Sequence, residues 1–185
     1  MNATLILLLI FTTFSIHAAD FKIDFGISKD KTSDWVMISD NIMGGVSRSK
    51  LEYNEDALKL SGNISLDNFG GFSSVKTKFK RIDLSAFKGI RIRYKSNNQK
   101  FAFTLEDTQN WTLPNYKGDF FNQKPNEWET STILFKDFKE YQIGEPTGEK
   151  LELERLKNIV RIGVITTEKK EGPFSLEIDY IEFLE

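Results

Sequence analysis

From Phe21 onward, apolar and polar residues alternate with a period of two, the spacing that sends successive side chains to opposite faces of a strand. The pattern is clearest over residues 89–95, where Ile90, Ile92 and Tyr94 alternate with Arg91, Arg93 and Lys95. This predicts a strand with one buried face and one wet face. Phe101, Phe103 and Leu105 repeat the device against Ala102, Thr104 and Glu106. Ser96-Asn97-Asn98-Gln99 between the two runs has turn composition, so together they predict a β-hairpin. Further strands are expected at 21–25, 35–38, 47–53, 58–65, 72–79, 127–135, 159–166 and 174–183. Only 151–158 and 83–87 are spaced as short helical turns. Short strands at this spacing, with no composition shift along the chain, predict a single all-β domain built as a sandwich or jelly roll.

Two stretches interrupt the alternation with paired glycines. SDNIMGGVSRS, residues 39–49, and LDNFGGFSS, residues 66–74, share the order Asp-Asn, apolar, Gly-Gly, apolar, Ser. Glycine weakens a strand and packs nothing, so a pair of them needs a reason. One is architectural: a bulge or tight bend where positive φ or close backbone approach excludes a Cβ. The other is a pair of adjacent loops offering N–H groups and small polar side chains to a ligand. That reading nominates Asp40, Asn41, Gly44, Gly45 and Ser47 from the first copy, and Asp67, Asn68, Gly70 and Gly71 from the second. Neither copy has the spacing of a nucleotide-binding loop.

DNIMGGVS, LSGNISLDNFGGFSSVK, DLSAFKGIRIRYKS, IGEPTG, IVRIGVIT and GPFSLEIDYIEF together resemble, in order and spacing, the complex I intermediate-associated protein 30 domain. The resemblance covers essentially all of the chain after residue 19 and implies a galactose-binding-like jelly-roll β-sandwich. It brings no catalytic residues. Because eukaryotic members assist assembly of respiratory complex I in mitochondria, it also implies a chaperone-like binding role. Lys76 departs from the family pattern, in which arginine is common after GGFSSV; lysine keeps the charge and loses the planar fork.

The chain's beginning changes this picture. Residues 1–19 carry no Lys, Arg, Asp or Glu, and residues 5–16 form an apolar run too short to span a bilayer comfortably. With small residues at Ala18 and Ala19, they read as a secretory signal peptide over 1–19, despite lacking the usual basic residue, followed by a domain over 20–185. The mature chain would have no transmembrane segment and would be secreted or periplasmic, away from matrix-side assembly. It would also lose His17, the only histidine of a chain without cysteine. Ser-His-Asp and Cys-His catalysis and the usual zinc sites go with it, and no metal or cofactor is expected. The 25 basic and 27 acidic residues are interspersed along the sequence, which argues against nucleic acid as a partner.

Two further stretches carry candidate chemistry. NWTLPNYKGDFF, residues 110–121, contains Pro114 and Gly118 and is expected to be a loop. Trp111, Tyr116, Phe120 and Phe121, with Trp128, either stack on a sugar ring or close one end of the core; Trp111 and Tyr116 are the ligand-binding candidates. EIDYIE, residues 177–182, fits the acidic pattern of some jelly-roll glycoside hydrolases: a bulge near Tyr180 would gather Glu177, Asp179 and Glu182 on one face. The bland alternative is a closing strand whose acids face water. A calcium site joining the chain ends through Asp24 and Asp179 would suit the fold. The expected function is a non-enzymatic, secreted binding module recognising a protein or a glycan through its loops. The alternatives are an assembly factor for an envelope or respiratory complex and a β-glycan hydrolase.

Overall fold

The computed structural model describes residues 21–26, 34–54, 56–97 and 99–185. The expected leader, its cleavage near Ala19, and His17 lie outside the described residues. Within them the strands are β1 (Lys22–Asp24), β2 (Trp35–Ser39), β3 (Arg48–Tyr53), β4 (Leu58–Ile64), β5 (Ser73–Thr77), β6 (Gly89–Ser96) and β7 (Phe101–Glu106). They continue as β8 (Asn115–Phe120), β9 (Glu129–Leu134), β10 (Lys139–Gln142), β11 (Glu145–Lys150), β12 (Arg161–Thr166) and β13 (Gly172–Leu184). One sheet runs β3-β4-β13-β6-β9, with β1 also pairing β13; the other runs β11-β10-β8-β7-β12-β5-β2. The pairings are antiparallel, and the two sheets face each other as a jelly-roll-type sandwich.

The core lies between the sheets and is strongly aromatic. Ile90, Ile92, Tyr94, Ile181 and Phe183 face it from the six-stranded sheet, and Phe101, Phe103, Leu105, Tyr116 and Val164 from the seven-stranded one. Phe103 meets Phe138 and Phe183 edge-on at centroid distances of 6.4 Å, the tilted geometry aromatic pairs prefer. Leu84, Leu156 and Ile159, all buried, come from the irregular segments before β6 and before β12. The helical expectation at 151–158 is met by a single 3-10 segment, Leu153–Asn158. Residues 83–87 form a turn closed by Phe87 N–H donating to the Leu84 carbonyl at 3.0 Å.

Three expectations need correction. β6 and β7 do not form a hairpin: β6 pairs β13 and β9 in one sheet, while β7 pairs β8 and β12 in the other. Both runs bury an apolar face, and they bury it against each other across the core, Ser96 ending a strand of one sheet and Phe101 beginning a strand of the other. The stretch expected as a loop contains β8, in which Tyr116, Gly118 and Phe120 point inward. Gly118 hides the alternation because Phe138 occupies its side-chain space: a Cβ there would lie 2.5 Å from Phe138 Cε2. Finally, β10 and β11 were not foreseen. β11 is exposed throughout, so no apolar face marks it.

Candidate functional site

The paired glycines surround one buried carboxylate. Asp40 is 1% exposed. One oxygen, Oδ1, accepts from Ser47 N–H at 3.1 Å; the other accepts from Ser47 Oγ at 2.5 Å, Gly71 N–H at 2.7 Å and Phe72 N–H at 3.3 Å. Burial alone would raise its pKa, but the donors outweigh it and hold the carboxyl below its ordinary value. The two copies do lie side by side, for Asn68 Nδ2 donates to the Gly44 carbonyl at 3.2 Å. In each pair one glycine supplies a positive φ, 91° at Gly44 and 126° at Gly71, which L side chains rarely adopt. The other leaves room for the carboxylate: a Cβ on Gly45 would fall 2.5 Å from Asp40 Cγ, and one on Gly70 would fall 2.7 Å from Oδ2.

All four glycine N–H groups are spent inside the fold. Gly44 donates to Asn41 O, Gly45 to Asp40 O and Gly70 to Asp67 O, while Gly71 donates to the Asp40 carboxylate. Asn41 is likewise engaged, donating to the Gly45 carbonyl at 2.9 Å and accepting from Ser39 Oγ. The reading in which these N–H groups, with Asp40 and Ser47, meet a ligand is therefore corrected: the loops are a carboxylate-stapled corner. They do leave Ile42, Met43 and Phe69 pointing into solvent, with Phe69 fully exposed at φ 60°.

The acids of β13 take the arrangement expected of a bulge. Register shifts between Ile178 and Tyr180, and Glu177 and Glu182 stand opposite Lys95 and Arg91 on the outer face of the six-stranded sheet. Each acid has a basic partner. Glu177 pairs with Lys59 at 3.3 Å and Lys95 at 3.0 Å, Asp179 with Arg93, and Glu182 with Arg91 at 2.8 Å. Burial pushes Glu177 upward, yet the two lysines hold its carboxyl below the ordinary range, the wrong direction for a general acid. Trp128 lies over this ladder, 4.7 Å from the Arg93 guanidinium carbon and 5.0 Å from Lys95 Nζ. The two acids that a calcium site joining the chain ends would use are paired with cations instead. Lys22 neutralises Asp24 at 2.8 Å and Arg93 takes Asp179, while pairing of β1 with β13 joins the ends directly.

The outer face of the seven-stranded sheet differs. Directly opposed residues of an antiparallel sheet point to the same side, so the register defines a row across it. Val36 pairs Lys76, Lys76 pairs Gly163, Gly163 pairs Thr104, Thr104 pairs Lys117, Lys117 pairs Lys139, and Lys139 pairs Lys150. Thr104 and Ala102 point away from the core between inward Phe103 and Leu105, yet they are only 2% and 0% exposed. These short residues stand between the longer Lys76 and Lys117 side chains of the row and are covered by their surroundings. The Thr104 hydroxyl is buried and has no hydrogen-bond partner among the described residues. Beside it, Lys76 pairs with Glu106, which Arg161 also approaches at 3.8 Å. Lys117 Nζ sits 4.2 Å above the Tyr141 ring. Burial, reinforced by Lys76, pushes the Lys117 ammonium down to about 8.

Lys76, Glu106, Asn110, Trp111, Pro114 and Asn115 help line a cavity of about 80 Å³. Trp111 is 66% exposed, so one predicted aromatic stands where a ligand can reach it. Tyr116 does not: it is fully buried on the inward side of β8, where burial pushes its phenol up to about 12, and it leaves the list of ligand-contacting residues. Phe120 is also core, whereas Phe121 is exposed. Sequence reasoning missed the lysine row. Its members lie on four strands, and only Lys76 had drawn attention, as a departure from a family pattern. Among the described residues there is no cluster of three metal-binding side chains and no helix long and apolar enough to cross a membrane.

A family model described as complex I intermediate-associated protein 30 matches residues 23–178. Among solved structures, the chain is similar to the family 11 carbohydrate-binding module of a cellulosomal cellulase of Clostridium thermocellum. The TM-score is 0.64 at 18% identity, over 89% of this chain and 94% of that one. The same kind of module in complex with a β-1,3-1,4-mixed-linked tetrasaccharide matches with a TM-score of 0.61, at 18% identity, over 89% and 95%. An agarase matches with a TM-score of 0.57 at 10% identity, over 89% of this chain but 24% of its own.

Proposed function

The chain belongs to the complex I intermediate-associated protein 30 family, and from that premise we propose that it is an exported, non-catalytic binding module that recognises a glycan on the outer face of its seven-stranded sheet. The observation that carries this reading is the cavity beside the exposed indole of Trp111, lined also by Lys76, Glu106, Asn110 and Asn115. A sugar ring needs an apolar plate for its C–H face and polar groups for its hydroxyls. Trp111 offers the first; Asn110, Asn115 and Glu106 offer the second. The fold shared with family 11 carbohydrate-binding modules supports the assignment. Export rests on the apolar leader. The paired acids of β13 give no support to a hydrolase, since each is held by a cation.

The test is a glycan-binding panel run on the purified chain and on Trp111→Ala. The indole is exposed, so the variant should unfold at an unchanged temperature and lose at least about tenfold in affinity. Unchanged binding by the variant, or no glycan bound by either protein, rejects the reading.

A second reading has its own observation. Ile42, Met43 and Phe69 expose apolar surface beside the stapled corner, and a phenylalanine held outward at positive φ is costly unless something covers it. This fits docking onto a protein, as an assembly factor would require. Capture of a stoichiometric partner from envelope extracts, abolished by Phe69→Asp, would favour it; equal capture by the variant would count against it.

A further inference from the structure

Like charges opposed across a sheet repel, and a fold that needed only stability would separate them. Here Lys117, Lys139 and Lys150 stand directly opposite one another on β8, β10 and β11, and Lys76 continues the row on the far side of Thr104 and Gly163. The other cations of this face are neutralised from within: Lys76 and Arg161 by Glu106, and Lys169 by Glu145 at 3.1 Å. Among the described residues, Lys117, Lys139 and Lys150 make no ion pair. Lys117 is the most constrained of them, partly buried and lying over Tyr141. Its stem is held in place while its ammonium makes no ion pair, Asp119 and Glu145 acting on it only from a distance. Neighbouring strands are about 4.8 Å apart, so the three lysines step along a line at intervals comparable to the length of one sugar residue.

We propose that the saccharide bound on this face is a polyuronate, whose successive carboxylates are received by Lys117, Lys139 and Lys150 while a ring stacks on Trp111. This rests on the glycan-binding reading above and specifies its ligand class. A carboxylate arriving at Lys117 supplies the direct ion pair that the fold does not, so burial that is unfavourable in the free protein becomes an asset in the complex.

The experiment is calorimetric titration with hexamers of galacturonate and of mannuronate, their methyl esters, a neutral mixed-linked β-glucan and a single-stranded DNA hexamer. At least one acid hexamer should bind about tenfold or more tighter than its ester, with affinity falling as salt is raised. Lys117→Met and Lys139→Met should each remove most of that advantage, and Lys117→Met should fold at least as well as the unmodified chain. Three results overturn the proposal: equal affinity for acid and ester, an acid preference untouched by both substitutions, or DNA bound as tightly as the uronates. Trp111-dependent binding of the neutral glucan alone sinks this inference and leaves the glycan reading standing. Binding of no saccharide sinks both.

Discussion

A Cβ on Gly45 would lie 2.5 Å from the carboxylate carbon of Asp40, a residue five positions earlier that is itself 1% exposed. Gly45 is thus required by its neighbour, whereas Gly44 beside it is required by its own backbone, at φ 91° with nothing within 4 Å. The two substitutions should behave differently. Gly45→Ala should cost about 1–3 kcal/mol through overpacking, and Gly70→Ala the same. Gly44→Ala should cost about 1 kcal/mol in backbone strain, much of it recovered by Gly44→Asn. Denaturant unfolding separates the mechanisms: in a double-mutant cycle the Gly45→Ala penalty should shrink once Asp40→Gly removes the whole side chain, whose Cβ would also lie within 2.7 Å, while the Gly44→Ala penalty should not.

Asp40 also sets an acid limit. Its carboxyl is held below its ordinary value of 3.8 in the folded protein. The stabilisation is therefore present above the unfolded value and is lost as pH falls through the lower folded value. Asp40→Asn should be less stable than the unmodified chain at pH 6 by about 1–3 kcal/mol, because one acceptor oxygen is gone. The gap should narrow as pH drops below about 4. Unfolding midpoints measured between pH 6 and pH 2 check this, and a constant gap would contradict it.

Lys117 also makes stability rise with pH, but at the alkaline end and because its charged form is the penalised one. Burial lowers its ammonium to about 8 from 10.5, with Lys76 and Lys169 adding to the shift and Asp119 and Glu145 opposing it. The unfolded chain binds more protons between those values, so this group makes stability rise with pH across that interval and costs stability below about 8. Lys117→Met should be more stable than the unmodified chain at pH 7, and the advantage should disappear by pH 10.5. Thermal unfolding across that range is the measurement.

The legible part of the fold was what local alternation encodes. Ile90, Ile92 and Tyr94 declare a buried face, and they have one. Alternation says which face is wet but not which sheet a strand joins, so β6 and β7, adjacent in sequence and both half apolar, looked like partners. They are opposite walls of the core. β8 was obscured because an inward position is glycine, and β11 because an exposed edge strand has no apolar face to show. The paired glycines were visible as an anomaly, and both alternatives for them could be written down. Choosing between them needed to know that Asp40 turns inward. The lysine row was not visible at all, since register, not spacing, brings residues 76, 117, 139 and 150 together.

Where a ligand sits decides between these surfaces. Amide chemical-shift mapping of the labelled chain with the bound saccharide tests this directly. The predicted result is perturbation centred on Lys76, Thr104, Trp111, Lys117 and Gly163, with the stapled loops at 40–47 and 67–72 unmoved. Perturbation confined to those loops, or to the Lys95, Glu177 and Trp128 face, would contradict it.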